Sequence, residues 1–468
     1  MLKSKSFLDL FWSFADNILQ QLINFVVGII LARILLPQEF GLVGIITVFI
    51  TISNVFADGG FSAALINKKE IKNIDYNTVF YTNIAISCFL YLLLFISADW
   101  IASFFNNPQI GNLLRIAGLN IVLISLSAIH RTIIVRNLNF RLITIISLIA
   151  VSISATCAIF MAYNGYGVYS LVFRVLIGQF ITVILFWIVN KWKPSFEFSM
   201  VSFKEMFSYG VNLFASNLLN TLHSNIYYII IGKFFSPAQL GYYTRATTFR
   251  DLASTNISNT IQRVSFSTLS KIHNEQQQFK KFSFFRDVTF LLTSFTMLFL
   301  FFASKEMILI LLSEKWLPSV EILEIISITG IFVGLYNLNL EYIAVLGNTK
   351  LYLLIELIGK ILIIPIVLLG MFLGFKVFLY SIIVHNTLMF LIVNIVLNKL
   401  KVGVLLPQVK LALKYGFMLL VLVLINYIGL DFNIKIVWFF LIKLLFCVVL
   451  FGLVNFKMIF TLINNKQM

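Results

Sequence analysis

Apolar residues run along this chain in stretches of about 20, the length a helix needs to cross a bilayer, and short polar or basic segments separate them. The stretches are too long and too uniformly apolar to be the alternating strands of an outer-membrane barrel. They predict spans at 9–32, 40–60, 78–98, 113–135, 141–162, 167–190, 207–231, 240–262, 289–312, 320–345, 351–374, 377–398, 411–430 and 435–455. The connections are too short for an extramembrane domain, the longest being 263–288. Three spans break the pattern. The first and seventh each carry a polar stripe, and the eighth is polar over most of its length.

The first span places Ser13, Asp16, Asn17, Gln20 and Asn24 on one helical face. The seventh repeats this with Asn212, Ser216, Asn217, Asn220 and Ser224. At an offset of 200, Asn17 falls on Asn217, Gln20 on Asn220 and Asn24 on Ser224. The same offset aligns Leu31-Ala-Arg-Ile-Leu-Leu-Pro-Gln-Glu-Phe-Gly-Leu42 with Ile231-Gly-Lys-Phe-Phe-Ser-Pro-Ala-Gln-Leu-Gly-Tyr242, so that Arg33, Pro37 and Gly41 fall on Lys233, Pro237 and Gly241. A second match, at offset 209, aligns Arg136–Leu142 with Val345–Leu351. The chain therefore reads as two six-span lobes, 1–200 and 201–400, followed by two additional spans in 401–468. An even span number per lobe makes the repeat parallel, an arrangement that flanks substrate pathways in transporters.

Composition narrows the class. Of 468 residues, 60% are hydrophobic and 12% charged, against about 45–50% and about 25% in soluble domains. That excludes an ordinary soluble enzyme and a disordered chain. It predicts an all-α polytopic membrane protein of about 14 transmembrane helices. The net charge of +16 arises from loop lysines and arginines rather than from nucleic-acid binding. Lys3, Lys5, Lys68, Lys69, Lys72, Arg131, Arg136, Arg141 and the run from Lys271 to Lys281 share one side if both termini are cytoplasmic, and few bases remain opposite. The N-terminus reads as uncleaved. Cys88, Cys157 and Cys447 all lie in apolar runs, so neither a disulfide framework nor a metal site is expected.

Ionisable residues within spans are the candidate chemistry, because each is costly there. Arg245 and Arg250 stand in the eighth span and Arg174 in the sixth. Asp16 and Asp58 stand in the first two. Asp58 maps onto Ser258, while Arg245 and Arg250 map onto Ile45 and Ile50. The scaffold is repeated but its charge is not, which suits an anionic substrate held mainly from the C-terminal half. Two structural alternatives stand beside this: amide stripes that glue helices together, and an internal ion pair of Arg250 with Asp251 or of an arginine with Asp58. Glu356 and Lys360, at i,i+4, are expected to pair. Arg115 is expected to snorkel outward, Glu341 to be solvated, and His130 and His385 to be core residues. There is no phosphate-binding P-loop and no nucleophile–base constellation, which excludes direct ATP drive and argues against an enzyme.

With the Leu31–Leu42 turn, the stretch Phe56-Ala-Asp-Gly-Gly-Phe-Ser-Ala-Ala-Leu-Ile66 and the Pro237–Gly241 turn followed by Tyr242-Tyr243, the chain resembles the polysaccharide-export flippases, Wzx-type and teichuronic-acid-type, of the multidrug/oligosaccharidyl-lipid/polysaccharide exporter superfamily. The resemblance covers nearly the whole chain. It implies a two-lobed bundle in the bacterial cytoplasmic (inner) membrane. It implies that an undecaprenyl-pyrophosphate-linked oligosaccharide (an O-antigen, capsule or exopolysaccharide repeat unit) passes from the cytoplasmic to the periplasmic leaflet by alternating access. Arg245, Arg250 and Arg174 would contact pyrophosphate and acidic sugars, with Asn17, Gln20, Asn24, Asn217 and Asn220 lining the path. Asp16 and Asp58 would couple transport to an H+ or Na+ gradient, with no cofactor. Membrane lipids, a polysaccharide polymerase and glycosyltransferases are the implied partners, and nucleic acid is not. The alternative is an ion-coupled small-molecule antiporter of the same superfamily, which calls for a carboxylate-dominated cavity.

Overall fold

In a computed structural model, residues 2–400, 402–428 and 436–464 are described, and every regular element among them is helical. The chain divides into two compact units, 1–241 and 242–468. The first holds α1 (Leu2–Ile34), α2 (Pro37–Asp58), α3 (Phe61–Asn67), α4 (Asn73–Phe104), α5 (Gln109–Arg136), α6 (Phe140–Tyr163), α7 (Val168–Val189) and α8 (Met200–Phe234). The division falls within α9 (Pro237–Arg250). A single π-helical turn, Asp251–Thr255, joins α9 to α10 (Asn256–Leu269). There follow α11 (Glu275–Phe302), α12 (Ser304–Leu311), α13 (Pro318–Val345), α14 (Thr349–Leu373), α15 (Phe375–Lys399), α16 (Leu405–Ile428) and α17 (Ile436–Asn464).

Among the described residues, eleven helices are long and apolar enough to cross a membrane. The remaining long segments are α1, which contributes the apolar stretch Ile18–Ile34, α8, and α9 continued through the π turn into α10. These three are the spans that carry the polar residues, which is why hydropathy alone passes over them. Together they complete the set read from the sequence. One boundary differs. The span expected at 289–312 is the second half of α11 plus α12, and α11 begins at Glu275, inside the segment expected to be a loop. Its first turns, Glu275-Gln-Gln-Gln-Phe-Lys-Lys281, are polar and invisible to hydropathy. They are helical because Asn274 caps them, its Oδ1 accepting from Gln277 N–H at 3.0 Å.

The internal repeat is visible in the turn geometry. Before α2, Leu36 N–H donates to the Glu39 carboxylate at 2.6 Å. Before α9, Ser236 N–H donates to Gln239 Oε1 at 2.9 Å, and Gln239 N–H returns the bond to Ser236 Oγ at 3.2 Å. The second is a reciprocal cap and the first is its one-way counterpart, since leucine has no side-chain acceptor; both have proline at the first helical position. The second match behaves likewise. Leu138 and Gly347 both take left-handed φ, 55° and 81°, and the asparagine after each, Asn139 or Asn348, opens the next helix at φ −91° or −89°. Within the first unit the two aligned glycines also meet each other's turn. A Cβ on Gly41 would stand 1.9 Å from the Pro237 carbonyl oxygen, and one on Gly241 would stand 1.8 Å from that of Pro37. Only a residue without a side chain permits that approach.

In the first unit α8 packs along α2, α3 and α4. Its first turns are tied down by Lys68, whose Nζ donates to Glu205 Oε2 at 2.8 Å and to Asp75 Oδ1 at 3.1 Å. Burial pulls the Lys68 pKa down, but its hydrogen bonds to Glu205 and Asp75 outweigh this and leave it above the ordinary lysine value. Arg136 closes the turn after α3, donating to the carbonyls of Leu65, Lys68 and Lys69 at 2.6–2.9 Å.

In the second unit the two C-terminal helices are held by buried polar contacts set in an apolar cluster that includes Phe290, Leu335, Phe390, Met418 and Cys447. Asn339 and Gln408 exchange amide hydrogen bonds at 2.8 and 2.7 Å, and the Tyr415 hydroxyl donates to the Ser327 carbonyl at 3.2 Å. Lys443 on α17 reaches Glu306 on α12 at 3.0 Å and the Phe302 carbonyl at 2.8 Å. Arg115, expected to snorkel, pairs with the exposed carboxylate of Asp99 at 2.7 Å. Glu341, expected to be solvated, is half-buried and accepts from Ser265 Oγ at 3.4 Å. Glu356 and Lys360 pair at 3.7 Å. His130 and His385 are buried.

Candidate functional site

A cavity of about 450 Å³ opens between α2 and α8, with Val55, Gly60 and Phe214 in its wall beside a set of polar side chains. From α2 it takes Thr51, Asn54 and Asp58, spaced three and four residues apart and so on one face. From α8 it takes Asn217, Asn220, Thr221, Ser224 and Asn225. Several of these satisfy themselves along their own helix. Ser224 Oγ donates to the Asn220 carbonyl and Asn225 Nδ2 to that of Thr221, both at 2.8 Å. Such back-bonding is the route by which hydroxyls and amides are tolerated in apolar helices. Asp58 accepts a hydrogen bond from Ser62 Oγ across the turn that follows α2.

That turn explains the Asp58-Gly59-Gly60 sequence. Gly59 and Gly60 take φ of 53° and 79°. A Cβ on Gly60 would meet the Gly210 carbonyl oxygen at 2.4 Å. The double glycine reverses the chain after Asp58 and lets α8 close against it. The Gly60→Ala change is therefore expected to destabilise the protein by about 2–4 kcal/mol, combining the left-handed penalty with overpacking. A thermal unfolding scan of the purified chain checks this, and an unchanged midpoint would contradict the close packing.

The other residues singled out from the sequence lie in separate places. In α1, Gln20 Nε2 donates to Asp16 Oδ1 at 2.7 Å. Arg174, on α7, donates from Nη2 to Asn24 Oδ1 at 2.5 Å. Neither pair lines the α2–α8 cavity. Asn17 lies in α1, and its side chain falls outside those described. Arg245 and Arg250 belong to the second unit, on α9, and are half-buried. Arg250 Nε and Nη2 both donate to Asp251 Oδ1, at 2.9 and 2.7 Å. Asp251 opens the π turn, a local widening of the helix that recurs at functional sites. The structure thus brings Asp58, Asn217 and Asn220 together, couples Arg174 to Asn24, and forms the Arg250–Asp251 pair. Thr51 and Asn54 went unremarked in the sequence. Their signal is the i,i+4 and i,i+7 spacing from Asp58. Among the described residues, no group of three His, Cys, Asp or Glu is placed to hold a metal.

Comparison with known proteins places this geometry. Residues 30–321, more than half of the chain, match the family model described as "Polysaccharide biosynthesis protein". The chain belongs to that family. The family match includes α2, α8 and the π turn, so the cavity and the arginine pair both lie inside it. The chain is 27% identical over 302 residues to the teichuronic acid biosynthesis protein TuaB of Bacillus subtilis (strain 168), covering 64% of this chain and 62% of that protein. It is 24% identical over 308 residues to the succinoglycan biosynthesis transport protein ExoT of Rhizobium meliloti (strain 1021), covering 66% and 62%. The matched stretch therefore spans less than two thirds of either relative. A solved structure of the lipid II flippase MurJ, in an inward closed conformation, superimposes with a TM-score of 0.77 at 19% identity, covering 97% of this chain and 100% of that one. That likeness shows a shared fold.

Proposed function

We propose that this protein carries the head group of a lipid-linked oligosaccharide across the bilayer, as a flippase for polysaccharide assembly. One observation carries the reading: the α2–α8 cavity, an open space lined, beside Val55, Gly60 and Phe214, by amides, hydroxyls and a single carboxylate in a chain built almost entirely from apolar helices. Its volume lies in the range of small-molecule sites, about 300–1,000 Å³. Amides and hydroxyls both donate and accept, as sugar hydroxyls do, so such a lining replaces the water a glycan loses on entering. Unaided, that head group faces about 30 Å of hydrocarbon. The family's role in polysaccharide biosynthesis, and those of TuaB in teichuronic acid biosynthesis and ExoT in succinoglycan biosynthesis transport, support the same class of cargo.

Within this reading Arg245 and Arg250 bind the pyrophosphate, Arg174 assists through Asn24, and Asp16 and Asp58 exchange the coupling ion, H+ or Na+. Transport is non-covalent, so no catalytic group is called for. The distribution of loop lysines and arginines favours cytoplasmic termini in the bacterial inner membrane, beside the glycosyltransferases that make the cargo and the polymerase that consumes it.

Two experiments test the reading. Deleting the gene in its host is expected to remove a surface polysaccharide and to accumulate lipid-linked repeat units. Unchanged polysaccharide with altered sensitivity to cationic drugs would instead indicate an antiporter. Single cysteines at positions 217 and 220, in a chain whose native Cys88, Cys157 and Cys447 are replaced by serine, are expected to react with a membrane-impermeant thiol reagent. Protection of both would mean that the stripe is packed rather than wet.

A further inference from the structure

A second cavity, of about 920 Å³, lies wholly within the second unit, among the first turns of α11, the first half of α16 and the last turns of α17. We propose that it binds the anionic, phosphate-bearing head group of a lipid. Lys280 and Lys281 come from α11, Lys414 from α16 and Lys457 from α17. The cavity takes the start of α11, the first half of α16 and the end of α17, so the four bases gather around one space. Asp287 is the single carboxylate in the lining, and it is already engaged by Arg286 at 2.7 Å. Among the described residues, the side chains of Lys280, Lys414 and Lys457 make no hydrogen bond and no ion pair, although the Asp287 carboxylate acts on the Lys414 charge. Four ammonium groups around one cavity repel each other, and a bound anion relieves that repulsion. Basic pockets between membrane helices near a bilayer surface suit phosphorylated lipid head groups, whose oxygens accept from several lysines at once.

The remaining walls point to a lipid rather than a soluble anion. Phe284, Met458 and Leu462 give the cavity an apolar side. On α17, Leu453, Phe456 and Phe460 share one face next to Lys457 and are exposed. An acyl or polyprenyl chain laid along that face keeps its head group over the lysines. The proposal does not depend on the transport reading, since a bilayer phospholipid and a polyprenyl phosphate present the same chemistry.

The test uses the full chain purified in detergent, with lipid retention followed by native mass spectrometry and stability by thermal unfolding. The probes are phosphatidylglycerol, undecaprenyl phosphate, phosphatidylcholine and inorganic phosphate. Phosphatidylglycerol or undecaprenyl phosphate is expected to stay bound and raise the unfolding midpoint. Binding of that lipid is expected to weaken at least tenfold in the Lys280→Gln/Lys414→Gln/Lys457→Gln variant. Preference between the two anionic lipids identifies the source, bilayer or carrier. Equal retention by wild type and variant, protection by phosphatidylcholine equal to that of the anionic lipids, or full protection by inorganic phosphate alone would overturn the proposal. Should the triple variant not fold, Lys280→Glu alone, at an exposed position on α11, gives the second test. It is expected to lower affinity several-fold, and unchanged affinity would overturn the proposal.

Discussion

Replacing Arg250 by alanine is expected to lower transport at least about thirtyfold while the chain still reaches the membrane. The magnitude is the lower end of the roughly 2–5 kcal/mol lost when one partner of a desolvated charge pair is truncated. The observed Arg250–Asp251 pair raises a competing explanation, in which Arg250 only neutralises its neighbour. The two explanations separate in the double variant Arg250→Ala/Asp251→Asn. Removing both charges restores any stability lost through an unpaired aspartate, but it does not restore a phosphate ligand. Transport is therefore expected to remain low in the double variant, and recovery to wild-type output would assign Arg250 a structural role. Arg250→Lys separates charge from shape. A lysine is a point charge without the planar fork, so partial activity indicates that charge suffices, and none indicates bidentate binding. In vivo polysaccharide output, normalised to membrane protein, reads all three variants.

The Lys443→Ala change is expected to destabilise the protein by about 3–5 kcal/mol, the cost of leaving one member of a buried ion pair alone. Glu306 is 4% exposed and Lys443 8% exposed. Lys443 also lies over the rings of Phe302 and Phe439, at 4.8 and 5.1 Å. Taking the lysine away leaves a carboxylate with no counter-charge in an aromatic cage. The double variant Lys443→Met/Glu306→Leu removes both charges and is expected to unfold near the wild-type temperature. A double variant as unstable as the single one would show that the contacts of the intact pair, and not an uncompensated carboxylate, account for the loss. Thermal unfolding in detergent, followed by loss of monodisperse protein, measures both variants.

The helical, polytopic architecture was legible because hydrophobicity and span length are coupled by the thickness of the bilayer. The repeat was legible for a different reason. Proline at the first helical position, a glutamate or glutamine two residues on, and a glycine at close approach are the residues that those turns demand, and both copies have them. Helix ends were less legible where polar turns prolong a span. The start of α11 at Glu275 is such a case, because hydropathy reports the lipid-facing part and not the capped turns beyond it. The break between α11 and α12 at Ala303, and the π turn at Asp251–Thr255, carry no composition signal.

The site was legible in part. Periodicity placed Asn217 and Asn220 on one face of α8, and the charge of Asp58 marked α2. Which helix faced which was not in the pattern. The close approach of Gly60 to Gly210 decides that α2 and α8 share the cavity, and so recruits Thr51 and Asn54. Partners of in-span charges were also hidden, since Lys443 finds Glu306 over a distance of 137 residues in sequence. Sequence periodicity identifies a face, but long-range pairing depends on the packing of whole helices.

The central claim is that this chain moves a lipid-linked glycan between leaflets. The direct measurement reconstitutes the purified chain in vesicles carrying a fluorescent undecaprenyl-pyrophosphate-linked oligosaccharide, and follows exposure of the label to an impermeant quencher. The account expects transfer well above that of protein-free vesicles, with most of the gain lost in the Arg250→Ala variant. Transfer no faster than in protein-free vesicles, under both H+ and Na+ gradients, would contradict it.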